Sequence, residues 1–553
     1  MRSACYGQLE DWTGRKTSCS VVNDSRLATM TYPRHALTIA SDWHYMAEGG
    51  SRVVMCYRGP DPSLVGKVLR VRKRAKDRPL QNLTKTVDYE QNHRHDLTDL
   101  ELWVEFFSLE RQDQDELAEI FSDKLLRPFL SRNQTDTGVR IRVDASFLTQ
   151  VATNIASFRP AKRWESSVVD VKSRSAVIVQ NHRNIVKGDY STAQVISLEI
   201  KPKCGFADPM NRAGIARFRM HQSVKLAGGK LLRTSNYDPL DLYGELDEKI
   251  YTDTCLRVHM ARQGSPQHAQ HRRAMLALIQ EPQNNFLVTR PNDLDGTNFS
   301  THLINDPKYP GSMNPRPCKE RNFYTHGDAD RISIKPHSFR NFGIWQLSGF
   351  LGRRTPGEQE NALHNHGSVV NNLIDVALMA LSCTGVLSRI RAAQRLDRVG
   401  IEGAMRLVAR IRHMKQIPTS VTGTGNHHEI SMWGSVSKVD RVEFAYRLLR
   451  NFIISATAKD CSIILSINRL NTMASGVPVK LRHDSRKVLI KSPVFRVQRR
   501  TVRETTEEHV KFLCQVAVVD QDMKLVSKSR YWLALDRKIR GHYATNGLFR
   551  WTH

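Results

Sequence analysis

The chain of 553 residues carries 83 lysines and arginines against 55 aspartates and glutamates, a formal net charge of +28 at pH 7. Its 40% hydrophobic and 25% charged residues are typical of a folded globular protein and exclude a wholly disordered or low-complexity chain. The positive charge predicts an anionic partner, which could be a nucleic acid, an acidic membrane surface or a polyphosphorylated small molecule.

The first 205 residues predict a sheet with a helix or two. Residues 1–40 show no sustained period, so we expect an N-terminal extension that lacks a stable fold of its own, although part of it can pack on the body. VVMCY and GKVLRVRK flank a Gly/Pro turn and predict a hairpin. Helical spacing marks Leu97–Phe107 and Asp115–Leu126, and further strand-like runs are residues 139–144, SAVIVQNH and STAQVISLEIKPK.

After Gly205 the hydrophobic period changes toward that of helices. The predicted helices are Ala216–Lys225, Leu240–Arg262, His268–Gln280, Asn371–Ile390, Ile401–Met414 and Asp440–Ser455. Strand-like runs return at residues 462–468 and 512–524, and residues 293–360, rich in Pro, Gly, Asn and His, are predicted to be a loop insertion. The whole pattern favours an α+β fold.

The cysteines and the apolar stretches bear on location. The nine cysteines are scattered, odd in number and never spaced as Cys-x-x-Cys, which suits a reducing compartment and argues against a four-cysteine zinc site. The longest apolar stretch, Leu373–Leu387, is shorter than the about 20 residues that cross a bilayer, so we expect a buried helix and no membrane span. The first 20 residues lack an apolar leader core. We therefore predict an intracellular protein of the cytoplasm, the nucleus or both.

Two lysines lie two residues apart at the strand end LEIKPKCGF. Because side chains alternate along an extended segment, Lys201 and Lys203 leave the same face, and Pro202 stiffens the backbone between them. Two ammonium groups on one face indicate a polyanion site. The alternative is an edge strand that lysines protect from pairing with another chain.

Carboxylates mark the ends of two apolar strands. Asp460 begins one, in ATAKDCSIILS, and Asp520 and Asp522 end the other, in VAVVDQDMK. A single aspartate in such a place is most often a turn former. Two such strands, together with the lysine pair and a Gly-rich hairpin, fit phosphoryl transfer. That chemistry needs positioned cations, a bound metal and a carboxylate that orients the attacking hydroxyl.

Six segments carry a resemblance to a known family. In chain order they are ISLEIKPKCGF, FRMHQSVKL, SNYDPLDLYG, EPQNNF, ATAKDCSIILS and VVDQDMK. Over about residues 42–545 the chain resembles inositol-pentakisphosphate 2-kinases, which transfer the ATP γ-phosphate to the 2-hydroxyl of inositol 1,3,4,5,6-pentakisphosphate and so make inositol hexakisphosphate (phytate). The resemblance implies a two-lobed, kinase-like fold. It places an antiparallel-sheet N-lobe at residues 41–190 and a larger, mainly helical C-lobe with its own sheet at residues 191–553.

The resemblance also implies a role for each matched residue. On the nucleotide side it implies ATP binding by Gly49, Gly50, Arg70, Asn181, His182 and Glu199, with Gln180, Asn181 and His182 as the adenine-side hinge. For the inositol phosphate it implies binding by Arg163, Lys203, Lys225, Asn284, Asn285, Lys524 and Lys528. Asp460 would be the general base on the 2-hydroxyl, Lys201 a further catalytic residue, and Asp520 and Asp460 the ligands of Mg²⁺.

Charge arithmetic agrees with that assignment. Five phosphates put roughly −8 to −10 on the substrate, so its site must supply several cations to offset the desolvation of such a ligand. The matched residues would provide them as Arg163, Lys201, Lys203, Lys225, Lys524 and Lys528.

The chain departs from the family pattern in three places. Arg52 stands where the family usually has asparagine, and Leu287 stands where it usually has arginine. Residues 417–429, IPTSVTGTGNHHE, replace the plant-type Cys/His zinc cluster and contain no cysteine, so we expect no structural zinc.

The departures, together with the charge of +28, leave a second interpretation open, a non-catalytic polyanion- or RNA-binding protein on a degenerate kinase fold. Asp460 and Asp520 argue against it, because a pure binder gains nothing from carboxylates beside a polyanion. A nucleic-acid partner is possible but less favoured, since aromatic residues make up only 7% of the chain and give bases little to stack on.

Overall fold

A computed structural model describes residues 39–76, 97–107, 114–183, 195–207, 214–244, 265–281, 286–289, 366–416, 438–470, 487–500 and 505–545. The strands are β1 (Trp43–Glu48), β2 (Arg52–Tyr57), β3 (Lys67–Ala75), β4 (Val139–Arg142), β5 (Ser167–Val169), β6 (Ser175–Gln180), β7 (Val195–Ile200), β8 (Phe286–Thr289), β9 (Ser462–Leu470), β10 (Lys487–Arg500) and β11 (Thr505–Val519). The α-helices are α1 (Asp99–Phe107), α2 (Gln114–Ile120), α3 (Arg127–Leu130), α4 (Ala145–Ile155), α5 (Ala161–Ser166), α6 (Arg217–Ala227), α7 (Pro239–Tyr243), α8 (Pro266–Gln280), α9 (His366–Thr384), α10 (Val386–Gln394), α11 (Gly400–Gln416), α12 (Lys438–Ala458) and α13 (Ser529–Thr545). Residues 1–38 of the predicted extension, the insertion 293–360 and residues 417–429 lie outside this range. Helices and antiparallel strands together confirm the α+β class.

The first sheet has the order β1-β2-β3-β6-β4, with β5 also paired to β3. The predicted hairpin is confirmed as β2 and β3, which pair antiparallel. Alternation along β3 gives the sheet two apolar faces, because Leu69 and Val71 turn to one side and Val68 to the other. The first face packs against Phe147 and Leu148 of α4. The second face is left to line the space between the two sheets.

The second sheet has the order β10-β11-β9-β7-β8, and its strand pairs are all antiparallel. Its central strand β9 reads SIILSINRL, and Ile463, Leu465 and Ile467 are fully buried. A strand covered on both faces needs such a near-continuous apolar run, which explains why the sequence pattern predicts it well.

The apolar stretch from Leu373 is buried in the larger core, as its composition predicts. The prediction of one helix over Asn371–Ile390 is wrong, however, because Gly385 takes a left-handed conformation (φ 62°) and ends α9. The next helix, α10, leaves at 61° to α9. In the part of the chain that the structure describes, no single helix has the length and hydropathy of a membrane span, and only this bent pair reaches them together.

The larger core also receives helices from the first third of the chain. Trp103 of α1 and Leu117 of α2 are fully buried there, beside residues of the second sheet. Between α2 and α3 the helix widens into one π-helical segment, Phe121–Leu126. Such segments occur often at functional sites. These helices fall within the range 41–190 predicted as one lobe, and that domain boundary stays a prediction.

Some elements depart from the sequence patterns. The helix predicted over Leu240–Arg262 is described only as α7, which stops before Gly244 (φ 45°). The patterns do not predict β1, β10 or α13. In β10 the pairing with β11 is interrupted between Lys491 and Arg496, around Pro493, which has no N–H to donate. That interruption masks the alternation by which a strand is recognised.

Candidate active site

A cavity of about 220 Å³ lies between the two sheets. Its apolar lining comes mainly from both of them and includes Met46, Val54, Val68, Val177, Val179, Ile464 and Val519. Its polar lining includes residues predicted to bind nucleotide or to act in catalysis, namely Gly49, Arg70, Gln180, Asn181, His182, Glu199, Lys201 and Asp520. The π-helical segment borders the cavity through Ser122. Gly50 is described beside the cavity but does not line it. An apolar slot with polar groups at its rim suits a planar heterocycle with a charged tail.

The segment from Gln180 to Arg183 is held in place by Asp136. Its Oδ2 accepts a hydrogen bond from Gln180 N (2.9 Å) and lies 3.1 Å from His182 Nε2, while its Oδ1 accepts from Gly138 N (2.9 Å). Burial raises the pKa of Asp136, but these partners, above all His182, outweigh burial and lower it to about 2. The carboxylate is therefore ionised and anchors this segment at neutral pH.

Two buried serines attach the same segment to the second sheet. Ser197 of β7 and Ser466 of β9 pair across the sheet, with their hydroxyl oxygens 2.7 Å apart. Ser197 Oγ donates to the carbonyl of Arg183 and Ser466 Oγ donates to that of His182, each at 2.6 Å. The Arg183 guanidinium in turn lies 2.8 Å from Glu199 Oε2, so this carboxylate, predicted to bind ATP, is charge-balanced.

Lysines and aspartates meet beside the cavity, which Lys201 and Asp520 line, at the ends of β7, β9 and β11. Lys201 Nζ lies 3.2 Å from Asp520 Oδ2, which also accepts from Ser462 Oγ (2.8 Å). Lys203 Nζ lies 3.9 Å from Asp460 Oδ1, and Lys524 Nζ donates to Asp460 Oδ2. The fold therefore brings together the predicted general base, the predicted metal ligand and three of the predicted cations.

Electrostatics within this cluster favour a bound anion. Burial lowers the pKa of Lys203, and Lys201, Lys225 and Lys524 lower it further, although Asp460 acts the other way. Burial raises the pKa of Asp460, but Lys524, Lys203 and Lys201 outweigh it, so the net pKa is lowered. Asp460 is thus ionised at neutral pH, and the crowded ammonium groups gain from a polyanion.

Two tyrosines and a glutamine donate hydrogen bonds to the backbone of Lys201–Lys203, the lysine segment. Tyr237 donates to Pro202 O (2.8 Å) and Tyr243 donates to Lys203 O (3.3 Å). Gln394, at the end of α10, is completely buried and donates to Lys203 O (2.8 Å) and Ala458 O (3.3 Å). Its Oε1 accepts from the amide of Gly205 (2.8 Å). One side chain thus joins the lysine segment to the turn that carries Asp460.

Asp522 makes a second connection, between the two sheets. Its Oδ1 lies 3.0 Å from Arg70 Nη2 and 3.4 Å from Arg52 Nε, and its Oδ2 accepts from Ser51 Oγ (2.9 Å). Burial raises the pKa of Asp522, but Arg70 and Arg52 outweigh it and lower the net value. Arg52, which departs from the family pattern, is therefore an ion-pair partner here.

The remaining predicted residues lie apart from this cluster or are not described. Arg163, on α5, affects the pKa of Lys73 electrostatically, which places it near the ion pair of Glu48 and Lys73 in the first sheet. Lys225, on α6, acts on Lys203 in the same way, and no described contact joins the exposed Lys528 to the cluster. Asn284 and Asn285 lie outside the described residues, and Leu287 is described only as the β8 residue that pairs with Glu199.

Comparison with known proteins decides the family. A sequence model of inositol-pentakisphosphate 2-kinases matches residues 45–538. The chain belongs to the inositol-pentakisphosphate 2-kinase family. It is 28% identical over 522 residues to the inositol-pentakisphosphate 2-kinase of rice (Oryza sativa subsp. indica), which covers 92% of this chain and 94% of the rice protein. It is 28% identical over 447 residues to that of Arabidopsis thaliana, covering 79% and 83% of the two chains. It is 26% identical over 375 residues to the inositol-pentakisphosphate 2-kinase of zebrafish (Danio rerio), covering 63% of this chain and 72% of the zebrafish protein.

Three site residues escape the sequence interpretation, and for a fourth, Asp522, only the strand-end position is predicted. Asp136, Arg183 and Gln394 lie in no recognised motif, and their contacts join segments far apart in the chain. Asp522 is visible as the second aspartate of a D-x-D spacing at a strand end, but that spacing does not show which side chains it meets. A signal for Asp522 therefore exists in the sequence, while none exists for the others.

Proposed function

We propose that this member of the 2-kinase family transfers the γ-phosphoryl group of ATP to the 2-hydroxyl of inositol 1,3,4,5,6-pentakisphosphate and so forms inositol hexakisphosphate. The observation that carries the proposal is the set of Lys201, Lys203 and Lys524 around the carboxylates of Asp460 and Asp520, beside the cavity. A ligand of roughly −8 to −10 charge needs such a set, and carboxylates within it serve chemistry rather than affinity.

Asp460 is suited to act on the attacking hydroxyl. Its carboxylate is held by Lys203 and Lys524 and is 51% exposed, so it can reach a hydroxyl on a ligand that the same lysines bind. In the transfer step the hydroxyl proton goes to Asp460, the hydroxyl oxygen bonds to the γ-phosphorus, and the bond to the bridging oxygen of ADP breaks. Lys201 lies close enough to offset the charge that develops.

The cavity is suited to the nucleotide. Its apolar walls come from both sheets, as adenine binding requires, and Arg70 and Gly49 lie along the polar lining where phosphates would leave the slot. The two sheets would then form the N- and C-lobes of a kinase-like fold, with Gln180–Arg183 as the hinge. An intracellular location stays a prediction from the cysteine pattern.

Magnesium fits the donors at the mouth of this cavity. Among the described residues no group of three or more histidine, cysteine, aspartate or glutamate side chains could hold a metal ion alone. Mg²⁺ does not need one, because it is usually held by one or two carboxylates together with substrate phosphates and waters. The carboxylates of Asp520 and Asp460 would hold it, and it would neutralise charge on the phosphates. The absence of structural zinc stays a prediction, since residues 417–429 are not described.

The deciding experiment incubates the purified chain with pentakisphosphate, ATP and Mg²⁺ and separates the products by ion-exchange chromatography. We expect hexakisphosphate from the wild type and about 100- to 10,000-fold less turnover from Asp460→Ala, the range that a general base contributes. Pentakisphosphate affinity should stay near that of the wild type, because the variant removes a negative charge beside a polyanion. Glu402→Gln, at an exposed site on α11, is the matched control.

Binding of pentakisphosphate without any hexakisphosphate would instead favour the non-catalytic binder. An Asp460→Ala variant that kept most of its turnover would exclude the general-base role.

A further inference from the structure

The carboxylate of Asp522 joins the first sheet to the second sheet at Arg70, a residue predicted to bind ATP. Asp522 follows β11 by three residues. Its described partners are Ser51, in the turn between β1 and β2, and Arg52 and Arg70, on β2 and β3 of the first sheet. Both carboxylate oxygens are used by three partners at once, and the two arginine side chains are each 18% exposed, against 38% for the Asp522 side chain. This differs from a solvated surface ion pair, which holds little in place.

The partners of Asp522 are themselves fixed. Arg70 lies in the middle of the sheet, paired with Val54 on one side and Val177 on the other. Ser51 lies in the turn that Gly49 N closes on Arg52 O (2.9 Å), and Ser51 O accepts from Lys73 N (2.8 Å). A carboxylate that holds these groups therefore fixes the turn between β1 and β2, and the adjoining part of β2 and β3, against the segment after β11.

The two arginines would repel each other without this carboxylate. Arg52 pairs with Arg72 and Arg70 pairs with Val54, so Arg52 and Arg70 are diagonal neighbours on one face of the sheet. Asp522 neutralises one of the two charges. It engages Arg70 through Nη2, which leaves other N–H groups of that guanidinium to donate to a phosphate.

We propose that Asp522 is a positioning residue that docks the Gly49–Arg52 turn onto the second sheet and aims Arg70 at the transferred phosphate. This inference rests on the proposed kinase function, because Arg70 and the turn matter only where nucleotide phosphates bind. Asp522 lines the cavity, but both of its carboxylate oxygens are engaged by Arg70, Arg52 and Ser51, so we assign its role to these partners and not to direct contact with the reactants.

The charge of Asp522 makes the proposal distinguishable from a role in nucleotide affinity. Asp522→Asn removes a negative charge beside two arginines, so simple electrostatics predicts equal or tighter ATP binding. Loss of docking predicts a slower chemical step, because a misplaced cation no longer meets the charge that develops in the transition state. The expected signature is about a tenfold fall in kcat, with the KM for ATP unchanged or lower.

The experiment compares wild type, Asp522→Asn, Arg52→Gln, the double variant and Glu402→Gln as the charge-matched control. Steady-state kinetics gives kcat and the KM for ATP, and hydrogen–deuterium exchange without ligand follows residues 49–57 and 66–73. We expect faster exchange there in Asp522→Asn and in Arg52→Gln, and effects on kcat that do not add in the double variant, since both changes break one contact. Glu402→Gln should match the wild type.

Two results would overturn the proposal. One is unchanged exchange in residues 49–57 and 66–73 of Asp522→Asn. The other is a higher KM for ATP or a higher Mg²⁺ requirement at normal kcat, which would make Asp522 a nucleotide or metal ligand. If Asp522→Asn fails to fold, Ser51→Ala removes one bond to the same carboxylate and should raise exchange in the same peptides. An inactive wild type would refute the kinase function, whereas the exchange data would still decide the docking.

Discussion

Replacing the buried Gln394 by methionine should weaken pentakisphosphate binding and leave nucleotide binding intact. Methionine nearly keeps the volume of the side chain but can neither donate to Lys203 O nor accept from Gly205 N, the two hydrogen bonds of 2.8 Å. The Lys203 carbonyl keeps the hydroxyl of Tyr243 at 3.3 Å, whereas the Gly205 amide loses its acceptor. The variant therefore separates the support of the lysine segment from the lysines themselves.

The magnitude follows from burial. The buried Gly205 amide is left without a partner, which costs about 1 to 3 kcal/mol, and the broken bond to Lys203 O costs about 1 kcal/mol more, so the free energy of unfolding should fall by about 2 to 4 kcal/mol. Lys203 also holds a left-handed backbone conformation, with φ at 64°, which costs a residue with a side chain about 1 to 3 kcal/mol and persists only where the surroundings enforce it. Once Gln394 is gone the segment can relax. We expect at least a tenfold loss of pentakisphosphate affinity, about 1.4 kcal/mol.

The assay combines urea unfolding with calorimetric titration of pentakisphosphate and of a non-hydrolysable ATP analogue. Gln134→Met is the matched control. Gln134 is 1% exposed, donates to Thr384 O (2.8 Å) and accepts from Arg389 (2.9 Å), and the described hydrogen bonds of its side chain do not involve the lysine segment. It should lose comparable stability and bind pentakisphosphate within about twofold of the wild type. If Gln394→Met is destabilised yet binds pentakisphosphate normally, the reasoning about the lysine segment is refuted.

Two further predictions concern the charges. Changing Lys201 and Lys203 together to methionine should weaken pentakisphosphate binding by about 30- to 100-fold at about 0.15 M salt, with the fold intact by circular dichroism. Lys172→Met, at an exposed turn, is the control. If the double variant binds pentakisphosphate as tightly as the wild type, the polyanion site is excluded. Asp136→Asn should lower the free energy of unfolding by about 2 to 3 kcal/mol at pH 7, since the folded pKa of Asp136 is about 2 and its unfolded value is near 4. Because the pKa of Asp136 is lower in the folded state, its carboxylate stabilises the fold at pH values above the unfolded pKa. This contribution is lost as the pH falls through the folded pKa. The difference between variant and wild type in urea unfolding should therefore shrink to about half near pH 3, and a pH-independent difference would contradict the assignment.

The sequence predicts well those strands and helices that bury one face or both faces along a long, regular run of apolar residues. β9 and α9 are apolar almost throughout, and β3 alternates clearly. The elements that escape prediction are those in which another demand overrides the pattern. β10 carries Pro493 and many charges, and the helix predicted through Gly385 ends at that glycine, which takes a left-handed conformation.

The site divides along a similar line. The lysines and aspartates at the strand ends are predictable because phosphoryl transfer restricts the residue types, and because strand ends from one sheet meet at one edge. The structure places Lys201, Lys203, Lys524, Asp460 and Asp520 together in this way. It also places Arg163 in the first sheet's helix α5, near Glu48 and away from that cluster, which no strand pattern could indicate.

The residues that hold the reacting groups could not be predicted, because most of their partners are main-chain atoms. Gln394 bonds to the carbonyls of Lys203 and Ala458 and to the amide of Gly205. Every residue carries such groups, so no complementary residue type marks the partner in the sequence. Gln394 is also 191 residues from Lys203, and only the packed fold brings them together. A substitution there need not change any motif, and it can still displace the lysine whose charge the motif supplies.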